Sequence, residues 1–290
     1  MDHRRPPTVL TLATFNVHLG VDGWGRPYDV VGACRALDAD VLVLQESWAP
    51  DGGDPSTAAT VGDRLGMEVV AEVGLAHGRL FAPSVTAGPR WGPRVGQLRK
   101  AFHLDGERWG GAGRDDRPFV YGTWGLALLS RLPVNGVTVH PLGRLRRDAA
   151  RRVMVEGTVT LDGGDLVVCG THMSHITHGS HTHYRRLAGE LPPVTVAAVL
   201  AGDMNLWGPP VRSYLREWRR AVVGKTWPAP RPHSQLDHVL ATPPVTVVAA
   251  HIGEFAGSDH RPVVVTVAVG ATRPGPETGD RPSTRRVGPG

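Results

Sequence analysis

Two cysteines in 290 residues, Cys34 and Cys169, are too few for a disulfide framework or a four-thiolate zinc site. Cys34 falls in a helical pattern and Cys169 in an apolar strand pattern, so both are expected as reduced, buried thiols. No apolar run approaches the ~18 residues of a membrane span. The charged residues 1–7 lead into an apolar run that stops at Asn16 without a small-residue cleavage site, so no secretory leader is evident and the cytoplasm is the expected location. Glycine-rich phosphate loops are missing too. Neither G-x-G-x-x-G nor G-x-x-x-x-G-K occurs, which weighs against a nucleotide cofactor.

Gly (37) and Pro (25) are abundant instead. Together they imply many turns and argue against a helical bundle or coiled coil, while Gly stays far below the one-third of a collagen. Hydrophobic residues at 41% and charged residues at 20% are globular values. The length allows one large α/β domain or two smaller ones. A single domain over 1–270 is expected. Residues 271–290 hold eight Gly or Pro with almost no apolar side chain, and read as a disordered tail.

Apolar periodicity predicts strands at 8–17, 41–45, 67–73, 124–129, 134–142, 153–161, 166–170, 194–201, 236–241, 245–251 and 263–269. Helices are predicted at 28–37, 57–65, 183–191 and 211–218. Asp162-Gly163-Gly164-Asp165 is a hairpin signal, and residues 75–118 lose all periodicity and read as one long loop. Strands that are hairpin neighbours in some places and separated by helices in others indicate α/β with mixed sheets. The net charge is +5, with positive excess concentrated in 85–118, 144–152 and 212–225. Such segregation suits a phosphate-bearing or polyanionic partner, although solvated surface arginines give the same pattern.

Chemically capable side chains fall where predicted strands end or begin: Asn16, Glu46, His172, Asp203 with Asn205, Asp237, and Asp259 with His260. A rigid sheet edge is where such groups are held in place. Oxygen ligands without cysteine suit Mg²⁺ or Mn²⁺. A metal neutralises phosphate charge, a carboxylate can deprotonate water, and imidazole and amide groups can hold phosphoryl oxygens. The chemistry these residue types support is metal-assisted phosphoester hydrolysis.

The motifs Phe15-Asn16, Gln45-Glu46, Gly125 to Pro133, Thr171-His172, Gly202-Asp203-Met204-Asn205, Gln235-Leu236-Asp237-His238 and Ser258-Asp259-His260-Arg261-Pro262 occur in this order from about Thr8 to Val269. The set resembles the endonuclease/exonuclease/phosphatase superfamily, which includes nucleases, neutral sphingomyelinases and inositol polyphosphate 5-phosphatases. The resemblance implies a four-layer α/β sandwich of two mixed sheets flanked by helices. It implies Glu46 as principal metal ligand with Asn16 and Asp259 nearby, Asp203 as the residue positioning or deprotonating water, and Asn205 on phosphate. It further implies His172 on phosphate or leaving group, and Asp237 orienting His260. Met204 stands where an aromatic is common, and Tyr121 aligns loosely with a phosphate-side tyrosine of some members.

The expected activity is a Mg²⁺-dependent phosphodiester hydrolase, a nuclease acting on DNA or RNA, in a monomer. The alternatives are a sphingomyelinase-like or inositol-phosphate hydrolase acting on a lipid headgroup or sugar phosphate, and a degenerate member that only binds phosphate. Substrate choice is expected in 75–118 and 173–182. The run His172, His175, His178, His181 and His183 would suit a zinc or nickel site, but reads better as a loop beside the active site. Trp91, Trp109, Trp124 and Trp207 could stack on bases, with core packing or loop anchoring the commoner use.

Overall fold

Short local signals fix the first two helices. Ser56 accepts a hydrogen bond from the Ala59 amide and Gly66 closes the helix in the left-handed region at φ +63°, which bounds α2 (Thr57–Leu65). Asp29 accepts from the Gly32 amide ahead of α1 (Val30–Arg35). The computed structural model describes residues 8–23, 25–83, 101–105 and 117–270. The expected tail and most of the expected long loop, with Trp91 and Trp109, lie outside the described residues.

Thirteen strands form two sheets among the described residues. The first contains β1 (Leu10–Asn16), β2 (Val41–Pro50), β3 (Glu68–Phe81), β4 (Phe102–Leu104), β5 (Phe119–Ser130), β12 (Val245–Ile252) and β13 (Val263–Val269), in the order β12-β13-β1-β2-β5-β3-β4. The second contains β6 (Asn135–Arg144), β7 (Arg151–Leu161), β8 (Gly164–His172), β9 (Ala198–Asp203), β10 (Arg219–Arg220) and β11 (Asp237–Ala241), in the order β10-β11-β9-β8-β7-β6. Each sheet has one parallel pair, β1–β2 and β8–β9, and each pair is bridged by a helix, α1 or α3 (His181–Glu190). The remaining pairs are antiparallel.

Alternation along the strands sorts the core into layers. Leu10, Leu12, Val41, Val43, Leu126 and Leu128 of the first sheet meet Val155, Val168, Val199 and Val239 of the second. The other face of the first sheet, with Ala13, Phe15, Leu42 and Leu44, packs on Cys34 of α1 and on Ala58 and Val61 of α2. The other face of the second, with Met154, Leu200 and Leu240, packs on Tyr184 and Leu187 of α3 and Val211 of α4 (Gly208–Tyr214). The result is the helix–sheet–sheet–helix sandwich. Each fully buried Leu or Phe in it contributes roughly 1.5–3 kcal/mol of transfer free energy. Both cysteines are buried and unpaired, and burial pushes the Cys34 thiol up to about 12.

Several boundaries differ from the sequence-based expectation. The expected loop from residue 75 onward begins as strand, because β3 runs on to Phe81 paired with β5, and β4 adds a further strand. Residues 194–197 precede β9 instead of forming it, and the fourth helix starts and ends earlier than 211–218. The two-residue β10 carries no periodicity to detect.

Candidate active site

The parallel pairs determine where the polar residues gather. Asn16 ends β1 opposite Gln45, and His172 ends β8 opposite Asp203 at the end of β9. Asp237 opens β11, antiparallel to β9, and is also in register with Asp203. The start of β13 lies antiparallel to the end of β1, which brings Ser258, Asp259 and His260 to the same edge; the Ser258 hydroxyl donates to the Asn16 carbonyl at 2.7 Å. All eight residues singled out from the sequence therefore meet at one edge of the sandwich.

Glu46 reaches it by a device the sequence hides. It sits in a β-bulge, between Gln45 paired with Leu126 and Ser47 paired with Gly125, and its φ is +59°. A bulge re-aims a side chain out of the strand alternation, and left-handed backbone in a residue other than glycine is strain held by its surroundings. The Asn16 amide donates to Glu46 Oε1 at 3.1 Å and to Asp203 Oδ2 at 3.1 Å. Among the described residues, Glu46 Oε2 is buried with no hydrogen-bond partner.

Asp203 is the hub. Its Oδ1 accepts from the Asn205 backbone N–H at 2.8 Å, and Asn205 adopts a left-handed φ of +50° that short polar side chains tolerate. Its Oδ2 lies 3.5 Å from His172 Nε2 and 3.8 Å from His260 Nε2. Burial raises the Asp203 carboxyl to about 7, against the downward pull of His260. His260 Nδ1 lies 2.8 Å from Asp237 Oδ2, with Asp237 wholly buried. Burial alone would lower the His260 imidazole, but Asp237, Asp203 and Asp259 outweigh it and hold it well above 6.5. That ring is therefore a cation donating Nδ1–H to Asp237. The Asp237 amide is in turn held by Thr226 Oγ1 at 3.2 Å.

His172 is the opposite case. Burial first, then the charges of Arg152 and His260, lower it well below 6.5, so the ring is neutral. Asn205 Nδ2 donates to the Met173 carbonyl at 2.9 Å and faces His172 Nε2 at 3.2 Å, which makes Nε2 the acceptor and leaves the proton on Nδ1.

Donor atoms of Asp203, Asp237 and His260 lie within 4.8 Å of one another, a spacing that could surround a cation. The Asp237–His260 hydrogen bond and the positive charge on His260 oppose ligation there. The orphaned Glu46 Oε2, beside Asn16, is the better fit to a divalent ion, since a buried carboxylate oxygen without a partner is costly unless something satisfies it. Asp259 stands on the same side. Its carboxyl is held below the usual range by His18 and His260 against the effect of burial, and Trp227 Nε1 donates to it at 3.4 Å.

Three contributors were given no site role by the sequence reading. His18, two residues past Asn16, has a left-handed φ of +44° and lies 3.9 Å from Asp259. Its only signal was its place after a strand end. Trp124, not Tyr121, packs against His172, with ring centroids 4.8 Å apart; Tyr121 stacks on His77. Arg152, read from sequence as part of a basic surface segment, is buried and bonded to Asp148. Among the described residues the histidine run forms no metal-binding group: His183 bonds Ser174 at 2.8 Å, while His175 and His178 contact each other edge to face. A separate cavity of about 760 Å³ between the outer strands β10 and β12 is lined by Arg219, Arg220 and prolines and has no carboxylate or imidazole, so this chemistry does not belong to it.

A buried carboxylate ringed by amide and imidazole groups, at one edge of a two-sheet sandwich, suits hydrolysis of a phosphoester. The family model described as Endonuclease/Exonuclease/phosphatase family matches residues 13–260, and the chain belongs to that family. Divalent-metal dependence is general among its members. The chain is similar to an endonuclease/exonuclease/phosphatase from Beutenbergia cavernae, at 23% identity and TM-score 0.61, over 92% of this chain and 72% of that one. It is also similar to a mannosyl-6-phosphatase from Bacteroides thetaiotaomicron, at 15% identity and TM-score 0.55, over 89% and 99%. A third is ANGEL2, a 2',3'-cyclic phosphatase solved with adenosine-2',3'-vanadate, at 11% identity and TM-score 0.57, over 90% and 96%. These likenesses are of fold. No curated protein sequence matches the chain.

Proposed function

We propose that the protein is a Mg²⁺-dependent phosphodiesterase acting on nucleic acid. The observation that carries the reading is the setting of Asp203, whose single Oδ2 lies within 3.8 Å of side-chain nitrogens of Asn16, His172 and His260. A carboxyl raised to about 7 is matched to accepting a proton from water near neutral pH. The His260 cation offers Nε2–H to a phosphoryl oxygen, and Asp237 holds its other nitrogen. Asn205 keeps Asp203 in place through its backbone N–H, and its carboxamide reaches phosphate by exchanging its contact with His172 or Met173. His172, neutral and with Nε2 unprotonated, meets the substrate as a hydrogen-bond acceptor, for a protonated leaving-group or phosphate hydroxyl. Glu46, Asn16 and Asp259 would hold the ion, which when bound neutralises phosphate charge and polarises the P–O bond. With these residue types all present, hydrolysis is favoured over mere phosphate binding.

Nucleic acid is favoured as substrate because exposed Arg146, Arg147 and Arg151 flank the turn that carries Asp148, and Asp148 connects through Arg152 to the backbone of His172. The cyclic nucleotide chemistry named for ANGEL2 is compatible with the same choice.

The test is a substrate panel of plasmid DNA, RNA, sphingomyelin, inositol phosphates and bis-p-nitrophenyl phosphate, each with Mg²⁺ and with chelator. Hydrolysis of a nucleic acid that stops in chelator is expected. Glu46→Gln should weaken both Mg²⁺ binding and rate, by about 10²-fold or more in rate. Full activity in chelator would refute the metal, and turnover confined to lipid or sugar phosphates would refute the substrate class.

A further inference from the structure

We infer that Arg152, fixed by Asp148 and stacked on Trp124, is a positioning residue that sets the plane of the His172 ring. Arg152 is the second residue of β7 in the second sheet, while Trp124 lies on β5 in the first, so the stack joins the two sheets beside the site. The guanidinium carbon lies 5.0 Å from the Trp124 ring centre, within cation–π range, and Trp124 lies against His172. Arg152 Nη1 donates to the His172 carbonyl at 3.3 Å. One guanidinium thus reaches His172 both through its backbone and through the indole beside its ring.

Asp148 makes that guanidinium rigid. Arg152 Nε donates to Asp148 Oδ2 at 2.9 Å and Nη2 to Oδ1 at 3.3 Å, and the Ala150 amide donates to Oδ1 at 3.0 Å. Both partners are almost fully buried, 6% and 3% exposed at the side chain. Burying such a pair contributes little net stability, since desolvation offsets the attraction, so stability is a weak reason for its presence. Its contacts lead to His172, whose Nε2 must meet Asn205 and face Asp203, and a tilt of that ring would spoil both contacts. An arginine is required because a planar fork can hold two carboxylate oxygens, a carbonyl and an aromatic face together, which an ammonium cannot do.

The inference rests on the phosphodiesterase reading, and the test separates the two. ¹⁵N-histidine labelling of the full chain, with His172→Asn used to assign the His172 signals, reports the ring directly. Wild type should show a neutral ring with its proton on Nδ1, and Arg152→Lys should shift or broaden those signals. On bis-p-nitrophenyl phosphate with Mg²⁺, Arg152→Lys should lower kcat about 10–100-fold with KM changed less than about threefold, the loss a small misplacement produces. In a His172→Asn background the same change should cost less than about threefold, because nothing remains to be positioned. Unchanged His172 signals, an equal loss in both backgrounds, or a rise in KM at constant kcat would overturn the inference; the last would put Arg152 on the substrate instead. Should Arg152→Lys not fold, Trp124→Leu removes the same stack, and a folded Trp124→Leu with unaltered His172 signals also overturns it. If wild type hydrolyses no phosphoester, the functional reading falls while the ring signals still decide this one.

Discussion

Replacing Asp237 by Asn keeps the shape of the side chain and removes its charge, which isolates what the carboxylate does for His260. The hydrogen bond is short at 2.8 Å, Asp237 is wholly buried and His260 is only 6% exposed, so water cannot replace the lost partner. A hydrogen bond to a charged group contributes roughly 1.5–3 kcal/mol net. At about 1.4 kcal/mol per factor of ten, that is a loss of about 10–10² in rate if the bond acts fully on the transition state. His260→Ala removes the donor to phosphate itself and should cost about 10²–10⁴. The double variant should be no more than about threefold slower than His260→Ala, since Asp237 then has nothing to orient. The assay is kcat/KM for bis-p-nitrophenyl phosphate with saturating Mg²⁺ across the four members of the cycle. Circular dichroism melts are needed as well, because an unpaired buried Asp237 can cost about 3–5 kcal/mol of stability. Multiplicative losses in folded variants would show that the two residues work independently, and the pair would not be a catalytic unit.

Two further outcomes follow from the same structure. Replacing the exposed Arg146, Arg147 and Arg151 together by Gln should weaken nucleic-acid binding and reduce the slope of log K against log salt by up to about 0.9 per lost duplex-DNA phosphate contact; an unchanged slope would remove this segment from the interface. Burial lowers His238 to about 4 from an ordinary 6.5, so its neutral form is the one that folds. Its contribution is complete above pH 6.5 and lost as pH falls toward 4, where the unfolded chain binds the extra proton, with a total on the order of 3 kcal/mol. Chemical denaturation from pH 7 to 4 should show this slope, and His238→Asn should flatten it; equal slopes would reject the assignment.

Local signals were enough for the elements whose limits are set by neighbours in the chain. Helix 57–65 has the predicted limits, with Ser56 and Gly66 at its ends, and an unbroken Val-rich run gave 263–269 its full length. Order along the chain also pointed to the residues that gather at the candidate site, because a strand end is visible as the point where apolar residues give way to Asn, Asp or His. Mixed sheets followed from the mixture of hairpins and helix-separated strands, and the layer architecture from the motif resemblance alone. Pairing across the sheet decided the rest. Strand β3 continues past its apolar stretch because β5 offers a partner for its backbone, and β10 exists only as an edge paired with β11. The bulge at Glu46 is a mismatch between two strands, which neither strand's sequence records alone. Arg152 was read as a surface charge for the same reason: its burial depends on Asp148 four residues earlier and on Trp124 from the opposite sheet. The opposite protonation of His172 and His260 is likewise tertiary, since identical imidazoles diverge only because one is buried beside a guanidinium and the other among three carboxylates.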